Sequence, residues 1–484
     1  MDKFKPTFDS LSHYQCPEWF RNAKFGIWSH WGAQSVPMVG APCAISMYRQ
    51  GSECYLHHLR HYGHPSKVGY KDICQLWKAE HFDPDGLMQL YKKAGARYFV
   101  GQAVHHDNFL NYDSKLNRFN SVRMGPEKDI CGLWKAAAER EGLPFGLSEH
   151  LSEGFVRTSP NKGADSYGPY KGIPYDGNDP EYRDLYFDNH EHYSEEGIGR
   201  KPRHTGNEEF QNYWLAVVKE IVDQYQPDLF YTDGPIPFSW GDAKPGDPSF
   251  EKGLELISYL YNASIEKYGE NRAVYNQKEP RPDVCCVGVV DTERCLLPRI
   301  NPEPWQIDTT TGEWFYDPRV PYKQPDQLIE TLVDVVSKNG CMLLNIPQRP
   351  DGTIDEESQW ILEQLGDWFA ICGDAIYDTR PWRRFGEGDT LSDQDERFDE
   401  GKATWNSSDF RFTTKGNTLY AFMMSPPENR VAVIKSLSEA DKVQSLKLLG
   451  SGECEFNQSF GVLTVSLPEK LPTAYTNVLA IEIG

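Results

Sequence analysis

A carboxylate placed at the end of a buried strand is the first residue of the sequence with an evident chemical use. The stretch Tyr225–Pro235 reads YQPDLFYTDGP: a helix ends before a Gln-Pro break, a short apolar run follows, and Asp233 with Gly234 ends the run. In a βα barrel, side chains at the carboxyl ends of the strands face the active site. Asp233 is therefore a candidate catalytic residue. Asp-Gly pairs also cap turns, and this stretch alone fits a capping role equally well.

Other polar side chains also end predicted strands. They are His30, His105 with His106, Glu149 with His150, and Glu293. Any one of them alone is readily a structural group, but burying so many polar side chains requires partners, so their convergence indicates a site. Two carboxylates among neutral donors, Trp and Tyr suit glycoside hydrolysis, in which one carboxylate attacks or positions water and the other protonates the leaving oxygen. The imidazoles and Glu53 would then hydrogen-bond sugar hydroxyls.

Helices that alternate with short apolar strands are the elements that must position these side chains. The predicted strands are Lys24–His30, Arg97–Ala103, Pro144–Leu147, Leu229–Tyr231, Ala273–Asn276, Cys285–Val290 and Met342–Ile346. The predicted helices are Asp85–Ala94, Ile130–Glu141, Tyr213–Tyr225, Phe250–Tyr268, Pro325–Lys338 and Ser358–Ile371. This alternation predicts an α/β fold, a (β/α)8-like (TIM) barrel that occupies residues 1–375. The long loop at about 152–205 is rich in Gly, Pro, Tyr and Asp, and predicts a lid or a substrate wall.

The composition changes after about residue 378. Short alternating segments follow one another between Gly, Asn, Ser and Pro: Thr418–Met424, Arg430–Ile434 and Gly461–Leu467. This pattern predicts a C-terminal antiparallel β-sandwich over residues 376–484. No catalytic grouping stands out in it, so we expect it to contribute stability or carbohydrate contacts.

A strongly acidic composition limits the classes of partner. The chain of 484 residues carries a net charge of −21, whereas nucleic acid and anionic membranes require basic surfaces. No apolar run approaches the roughly 18 residues that span a bilayer. The 11 cysteines lack paired spacing, and the first residues, MDKFKPTFDS, lack the apolar core of a signal peptide. The sequence as it stands favours the cytoplasm, or the periplasm or secretion if a signal peptide has been removed. It leaves the oligomeric state open.

Two groups of histidines invite a metal hypothesis. His57, His58, His61 and His64 have the spacing of one helical face, but no acidic ligand pattern accompanies them, so we expect a solvated helix face. The histidines at 30, 105, 106 and 150 end strands, yet no strand-end pattern supplies a complete ligand set. The sequence therefore predicts no metal and no cofactor, and histidines that serve as sugar donors.

Four stretches in order resemble glycoside hydrolase family 29, the α-L-fucosidases. They are KFGIWSHWGAQSVP at Lys24–Pro37, the His-His pair within Val104–Asp107, LFYTDG at Leu229–Gly234 and KNGCMLLNIP at Lys338–Pro347. The resemblance implies a barrel followed by a β-sandwich. It also implies a retaining exo-α-L-fucosidase that acts on fucosylated glycans through a covalent fucosyl-enzyme, and leaves the linkage and the acceptor sugar open.

The resemblance also implies roles for particular residues. Asp233 matches the nucleophile of the strand-ending (W/F)xDG motif, and Glu293 is the first choice for the acid/base. Glu279 and Glu303 compete with Glu293 for that role. Arg294, next in the chain, would hold Glu293 charged at rest, which opposes the raised pKa that an acid requires.

The sugar pocket is assigned in the same way. The residues that match or replace family positions are Trp28, His30, Glu53, His105, His106, Tyr231 and Trp314, with Trp28 and Trp314 around the fucose methyl. The sequence departs from the family at Cys54, where Trp is common, and at Glu149-His150, where an aromatic is common. A smaller or more polar pocket suggests that an α-L-galactoside is also accepted. An inactive carbohydrate-binding barrel remains an alternative.

Overall fold

The computed structural model describes residues 3–40, 43–189, 203–239, 241–390, 398–400 and 403–484. Eight parallel strands close a barrel in chain order, and the last strand pairs with the first. The strands are β1 (Phe25–Ser29), β2 (Phe99–Val104), β3 (Phe145–Glu149), β4 (Leu229–Thr232), β5 (Val274–Gln277), β6 (Val289–Glu293), β7 (Trp305–Thr310) and β8 (Gly340–Asn345). The predicted barrel is confirmed.

Long helices cover the outside of the barrel in most of the crossovers. They are Pro84–Lys93, Ile130–Glu141, Glu208–Tyr225, Glu251–Tyr268, Pro325–Ser337 and, after β8, Glu356–Cys372. Short helices lie at Phe8–Leu11, Glu18–Ala23, Cys43–Ser46, Glu53–His61, Tyr70–Leu76, Gly154–Arg157, Arg183–Tyr186 and Pro282–Cys285. Among the described residues, no helix is long and apolar enough to cross a membrane. The predicted loop at 152–205 is described up to residue 189 as short helical turns, and residues 190–202 lie outside the described part.

Two sequence predictions about strands are wrong. β7 is not predicted, because its sequence WQIDTT alternates apolar residues on the outside with polar ones inside the barrel. The strand expected at Cys285–Val290 begins instead at Val289, after the turn of helix Pro282–Cys285. Both errors concern strands that carry a buried carboxylate, Asp291 on β6 and Asp308 on β7.

The sequence around Asp233 shows how the barrel positions its site. The helix Glu208–Tyr225 begins where Asn207 accepts the N–H of Phe210 at 3.0 Å, and it ends where Gln226 takes a left-handed conformation with φ 43°. β4 then alternates, with Leu229 and Tyr231 inside the barrel and Phe230 outside. The same alternation directs Asp233 inward at the carboxyl end of the strand.

The barrel interior has a polar upper part, at the carboxyl ends of the strands, and an apolar lower part. The apolar side chains inside it include Trp28, Tyr98, Val100, Leu229, Tyr231, Val274, Val289, Cys341 and Leu343. The ring of Tyr98 lies against Gly26 so closely that a Cβ there would be 2.3 Å from Cζ, so only glycine fits on β1 at this position. This packed layer fills the lower barrel, and the polar side chains collect at the upper mouth.

Two antiparallel sheets form the sandwich of the C-terminal part, and the short strand Phe398–Asp399 pairs separately with Cys295–Leu296. The strands of the two sheets are β9 (Arg380–Glu387), β10 (Phe410–Lys415), β11 (Thr418–Met423), β12 (Val431–Ile434), β13 (Val443–Leu448), β14 (Gly452–Glu453), β15 (Phe456–Ser459), β16 (Val462–Ser466) and β17 (Asn477–Ile483). One sheet has the order β9-β10-β11-β17-β13-β14 and the other β12-β16-β15. Their inner faces share one apolar cluster that includes Phe412, Ile434, Leu463 and Leu479. The predicted β-sandwich is confirmed.

A buried ion cluster joins the barrel to the sandwich. Asp334 on the helix Pro325–Ser337 lies 2.6 Å from Nζ of Lys338 and 2.7 Å from Nε of Arg411 on β10. All three side chains are at most 1% exposed. The last barrel helix ends at Cys372 and β9 begins at Arg380, on either side of the predicted boundary at 375. That boundary remains a prediction.

Candidate active site

Histidines and one carboxylate from the ends of four consecutive strands meet at the mouth of the barrel. His30 follows β1, His105 and His106 follow β2, His150 follows β3 and Asp233 follows β4. The ring centroid of His30 lies 4.8 Å from those of His105 and His150, and these two lie 4.5 Å apart. The convergence predicted from the strand ends therefore occurs for these five residues.

Asp233 is the charged centre of this mouth. Its Oδ2 atom lies 3.5 Å from Nδ1 of His150 and 3.9 Å from Nε2 of His106, and its Oδ1 atom lies 3.1 Å from Nζ of Lys278. Burial opposes ionisation, but the Lys278 ammonium and the hydrogen bond with His150 hold the pKa of Asp233 well below its usual range. Asp233 is therefore a carboxylate at neutral pH, the state in which it acts as a nucleophile.

Lys278 links the two carboxylates that the sequence singles out. Its Nζ atom lies 2.8 Å from Oε2 of Glu293 and 3.1 Å from Oδ1 of Asp233, so these two oxygens are at most about 6 Å apart. Retaining glycosidases hold their two carboxyl groups about 5–5.5 Å apart, and inverting enzymes about 6.5–9.5 Å apart. The upper limit found here lies below the inverting range and admits the retaining one. Burial opposes the charge of Lys278, but Asp233 and the neighbouring carboxylates raise its pKa well above its usual range.

A second acidic layer lies beneath this pair. Oδ2 of Asp308 on β7 lies 3.3 Å from Nζ of Lys278 and accepts a hydrogen bond of 2.8 Å from the hydroxyl of Tyr231. Asp291 on β6 accepts a hydrogen bond of 2.8 Å from the amide of Gln306. Burial raises the pKa of Asp308, and burial together with the charge of Asp308 raises the pKa of Asp291 well above its usual range.

Three histidines of the mouth, His30, His105 and His106, are neutral hydrogen-bonding groups. Burial lowers the pKa of His30, His105 and His106 well below the usual range. Nδ1 of His106 donates to the carbonyl of His150 at 2.6 Å, which leaves Nε2 facing Asp233. Neither ring nitrogen of His30 has a hydrogen-bonding partner in the described part of the chain. A neutral imidazole offers one donor and one acceptor, which suits the hydroxyls of a sugar.

An aromatic wall closes one side of the mouth. The Trp28 ring lies 4.8 Å from His30, 5.0 Å from Tyr231 and 5.7 Å from Trp314, measured between ring centroids. Trp28 is buried and its indole N–H donates to Ser148 at 3.2 Å, whereas Trp314 is half-buried on the loop after β7. The structure therefore brings Trp28, Tyr231 and Trp314 together beside the histidines.

Glu53 lies at the rim. Its side chain is 71% exposed and forms an ion pair with Arg319 of the loop after β7. Arg319 also binds Asp317, at 2.7 Å, so it connects the start of the helix Glu53–His61 to the loop that carries Trp314. Within the described part of the chain, the Glu53 carboxylate pairs with Arg319 and not with the residues around Asp233, and its sugar-binding role remains a prediction.

The competing glutamates have other partners. The Glu279 carboxylate lies 3.1 Å from Nε of Arg281, and Glu303 is exposed on the connection from β6 to β7. Arg294 does not pair with Glu293 as the sequence suggests, because its Nε atom lies 2.9 Å from Glu400. Lys278 is the cation beside Glu293 instead. The acid/base role of Glu293 remains a prediction, since Lys278 takes the place that the sequence analysis gave to Arg294.

Glu149 is the one polar strand end that does not join the mouth. Its carboxylate accepts the backbone N–H of Ser152 at 3.1 Å and lies against Trp214 of an outer helix. Burial raises the pKa of Glu149 to about 7. Because β3 alternates, Glu149 faces outward and the next residue, His150, faces the site.

Two important residues of the site escape the sequence analysis. Lys278 comes directly after β5, and the strand-end rule that identifies Asp233 would have identified it had the strand been extended by one residue. Asp308 belongs to β7, the strand that the sequence analysis does not predict. Neither residue is marked by a motif, and only the closed barrel brings them to Asp233.

A (β/α)8 barrel with two carboxylates at retaining distance, neutral imidazoles and an aromatic wall defines a glycoside hydrolase of the retaining class. A profile of the family described as alpha-L-fucosidase matches residues 1–374. The chain therefore belongs to the alpha-L-fucosidase family, and the resemblance seen in its motifs is confirmed.

Full-length relatives and solved structures agree with this assignment. The chain is 27% identical to the tissue alpha-L-fucosidase of Macaca fascicularis, over 98% of this chain and 89% of that protein. It is 26% identical to the plasma alpha-L-fucosidase of Homo sapiens, over 93% and 85%. The crystal structure of Thermotoga maritima alpha-fucosidase with a mechanism-based inhibitor is 27% identical and superposes with a TM-score of 0.75, covering 99% of this chain and 100% of the other.

Proposed function

We propose that this protein is a retaining exo-α-L-fucosidase in which Asp233 is the nucleophile and Glu293 the acid/base. The observation that carries the proposal is the bridge by Lys278, whose Nζ atom lies within 3.1 Å of one carboxylate and 2.8 Å of the other. The proximity of both carboxyl groups to one ammonium supports double displacement, which requires closely spaced carboxyl groups.

In the first step, an oxygen of Asp233 attacks the anomeric carbon of the fucosyl residue. The bond from that carbon to the leaving oxygen breaks, and Glu293 gives its proton to the leaving oxygen. Lys278 and the imidazole of His150 keep Asp233 ionised before attack. Glu293, with 47% of its side chain exposed, lies on the side from which a departing glycan can reach solvent.

In the second step, water replaces the leaving group. Ester formation has removed the charge of Asp233, so Lys278 then faces the carboxylates of Glu293 and Asp308. The ammonium stabilises Glu293 in the carboxylate form that takes a proton from water. The resulting hydroxide attacks the anomeric carbon, the ester bond breaks, and L-fucose leaves with its configuration retained.

The pocket supports a fucosyl group as the glycone. The neutral imidazoles of His30, His105 and His106 provide donors and acceptors for ring hydroxyls, while Trp28 and Trp314 cover the apolar side with the methyl group. The Thermotoga maritima relative, 26% identical, has been solved in complex with fucose. Fucosylated glycans are accordingly the substrates that we propose.

Hydrolysis of an aryl α-L-fucoside by the wild type and by Asp233→Ala and Glu293→Ala, each with and without azide, tests the proposal. We expect Asp233→Ala to be inactive. We expect azide to rescue Glu293→Ala on an activated substrate and to give an azide adduct of retained configuration. Glu279→Ala and Glu303→Ala are matched controls that should stay near wild type. Wild-type-like activity of Glu293→Ala would transfer the acid role to one of these two glutamates.

An inactive wild type would leave the barrel as a carbohydrate-binding fold. Binding of L-fucose without turnover, measured by calorimetry, identifies that case.

The cellular compartment of the protein also stays a prediction. All eleven cysteines lie in the described part of the chain, and all are free thiols.

A further inference from the structure

Three imidazoles face one another at the centre of the mouth. Ligand nitrogens of His30, His105 and His150 all lie within 4.8 Å of one another, and each of the three side chains is at most 5% exposed. They come from the ends of three adjacent strands, β1, β2 and β3, which a continuous hydrogen-bonded sheet holds in register. The cluster is therefore part of the rigid barrel.

Several nitrogens of the cluster have no partner among the residues that the structure describes. They are Nδ1 and Nε2 of His30 and Nε2 of His150. Buried polar atoms are almost always paired, so an orphaned set that faces one space indicates a missing ligand.

The outer contact of His150 is that of a metal-binding histidine, since its Nδ1 atom lies 3.5 Å from the Asp233 carboxylate. The side-chain amide of Gln34 donates to Nδ1 of His105 at 2.7 Å and fixes the orientation of that ring. Metal-ligating histidines commonly bind a carboxylate or another oxygen acceptor through the second ring nitrogen, which fixes the tautomer and leaves the first nitrogen for the ion. His150 thus presents Nε2 to the cluster while Nδ1 is held by Asp233.

We propose that His30, His105 and His150 form a binding site for a divalent transition ion such as Zn²⁺ or Co²⁺, and that the bound ion excludes the sugar. Three imidazoles with an open fourth position are a ligand set that zinc-class ions accept. Exclusion of the sugar rests on the proposed function, because His30 and His105 are also the proposed partners of the glycone hydroxyls. The ion is an inhibitor at this site and takes no part in hydrolysis.

Co²⁺ titration followed by visible absorption tests the site without any reference to activity. His57 and His61, whose ring centroids are 4.3 Å apart at the surface of the helix Glu53–His61, offer two other nitrogen ligands for Co²⁺. These two histidines are therefore replaced first. The titrated protein is therefore the full chain carrying His57→Gln and His61→Gln. We expect one equivalent of Co²⁺ with d–d bands of low coordination number. A near-ultraviolet thiolate charge-transfer band would instead place the ion on cysteines and overturn the proposal.

Variants of the cluster give the decisive comparison. In the same background, His150→Phe and His30→Gln should each weaken Co²⁺ binding by more than about tenfold. His204→Gln is the matched control: His204 is buried and its Nε2 atom also lacks a partner, but it lies outside the cluster. Circular dichroism checks folding, and His30→Gln carries the test where His150→Phe does not fold. Binding in the folded cluster variants that equals the background overturns the proposal.

Two further measurements distinguish the metal site from the proposed fucosidase function. L-Fucose should weaken Co²⁺ binding, and Zn²⁺ should raise KM for an aryl α-L-fucoside while kcat is unchanged. Cobalt binding that depends on His30 in a protein without fucosidase activity supports the metal site and removes the proposed function, because His150 is also close to His106 and Asp233. Full activity in a protein that binds no Co²⁺ retains the proposed function and overturns the metal site.

Discussion

Nζ of Lys278 lies 3.1 Å from Oδ1 of Asp233, and this contact joins the ends of two neighbouring barrel strands. The pair explains how a carboxylate that is only 14% exposed remains charged. It also aligns the carboxylate, because Tyr231 and His150 contact Asp233 from the other sides at 3.5 Å. Lys278 is therefore a positioning residue for the nucleophile.

Replacing Lys278 by Met should move the acidic limb of the pH profile. Without the ammonium, the pKa of Asp233 rises, so the nucleophile is protonated at a higher pH and the acidic limb of kcat/KM shifts upward. We also expect kcat/KM at the optimum to fall on the order of 100-fold, since a preorganised charge is lost. Lys278→Arg, which keeps the charge, should leave the limb near its wild-type position. An unmoved limb in Lys278→Met contradicts this account.

Physical reasons determine which parts of the fold could be predicted from the sequence. The helix Ile130–Glu141 is predicted to the residue, because Asp129 caps its start and Gly142 takes the left-handed conformation at its end. β7 escapes prediction because polar residues on its inner face alternate with apolar residues on its outer face. This is the pattern of a strand with one face in solvent. Local signals find helix ends and apolar strands, whereas a polar interior is known only once the barrel is closed.

The same distinction applies to the site. Asp233 and the histidines are found because each ends an apolar strand in its own stretch of sequence. The partner of Glu293 is predicted from its neighbour Arg294, but side chains at successive positions of a strand point to opposite faces, and Lys278 from the adjacent strand takes that place. Contacts across strands depend on register, which the sequence of one chain does not reveal.

An α-L-galactoside should be a slower substrate of the same site. It differs from an α-L-fucoside by one hydroxyl on C6, and the proposed methyl pocket is the apolar pair Trp28 and Trp314. A hydrophobic pocket rejects one added hydroxyl by about 100-fold, so we expect kcat/KM for the aryl galactoside to be lower by about that factor. Absence of any galactosidase activity would show that the pocket excludes the hydroxyl sterically.

Replacing Trp314 by Ala should weaken binding of the glycone. The ring is half-buried and lies 5.5 Å from His30 and 5.7 Å from Trp28, so Trp314→Ala opens the aromatic wall without removing a carboxylate. Loss of an aromatic contact worth about 0.5–1.5 kcal/mol corresponds to roughly a two- to tenfold rise in KM. Trp360→Ala, an exposed indole on the last barrel helix, is the control and should leave KM unchanged. Equal KM values for the two variants would contradict a role of Trp314 in the pocket.

The buried ion cluster between barrel and sandwich should dominate the stability of their junction. Asp334→Ala leaves the charges of Lys338 and Arg411 buried without their carboxylate, and breaking such a pair costs about 3–5 kcal/mol. Asp326→Ala on the same helix is the control, because Asp326 is exposed and its loss should cost less than about 1 kcal/mol. Thermal unfolding of both variants at neutral pH measures the difference.

The pH dependence of that stabilisation has a definite sign. Burial opposes the charge of Asp334, but Lys338 and Arg411 together hold its pKa below the usual range. The stabilisation is therefore fully present above the pKa of an unfolded Asp, about 3.9, and is lost as the pH falls through the lower folded value. The gap in unfolding temperature between wild type and Asp334→Ala should accordingly stay constant from neutral pH down to about pH 4 and narrow in more acidic solution. A gap that narrows between pH 7 and pH 5 would assign the effect to groups other than Asp334.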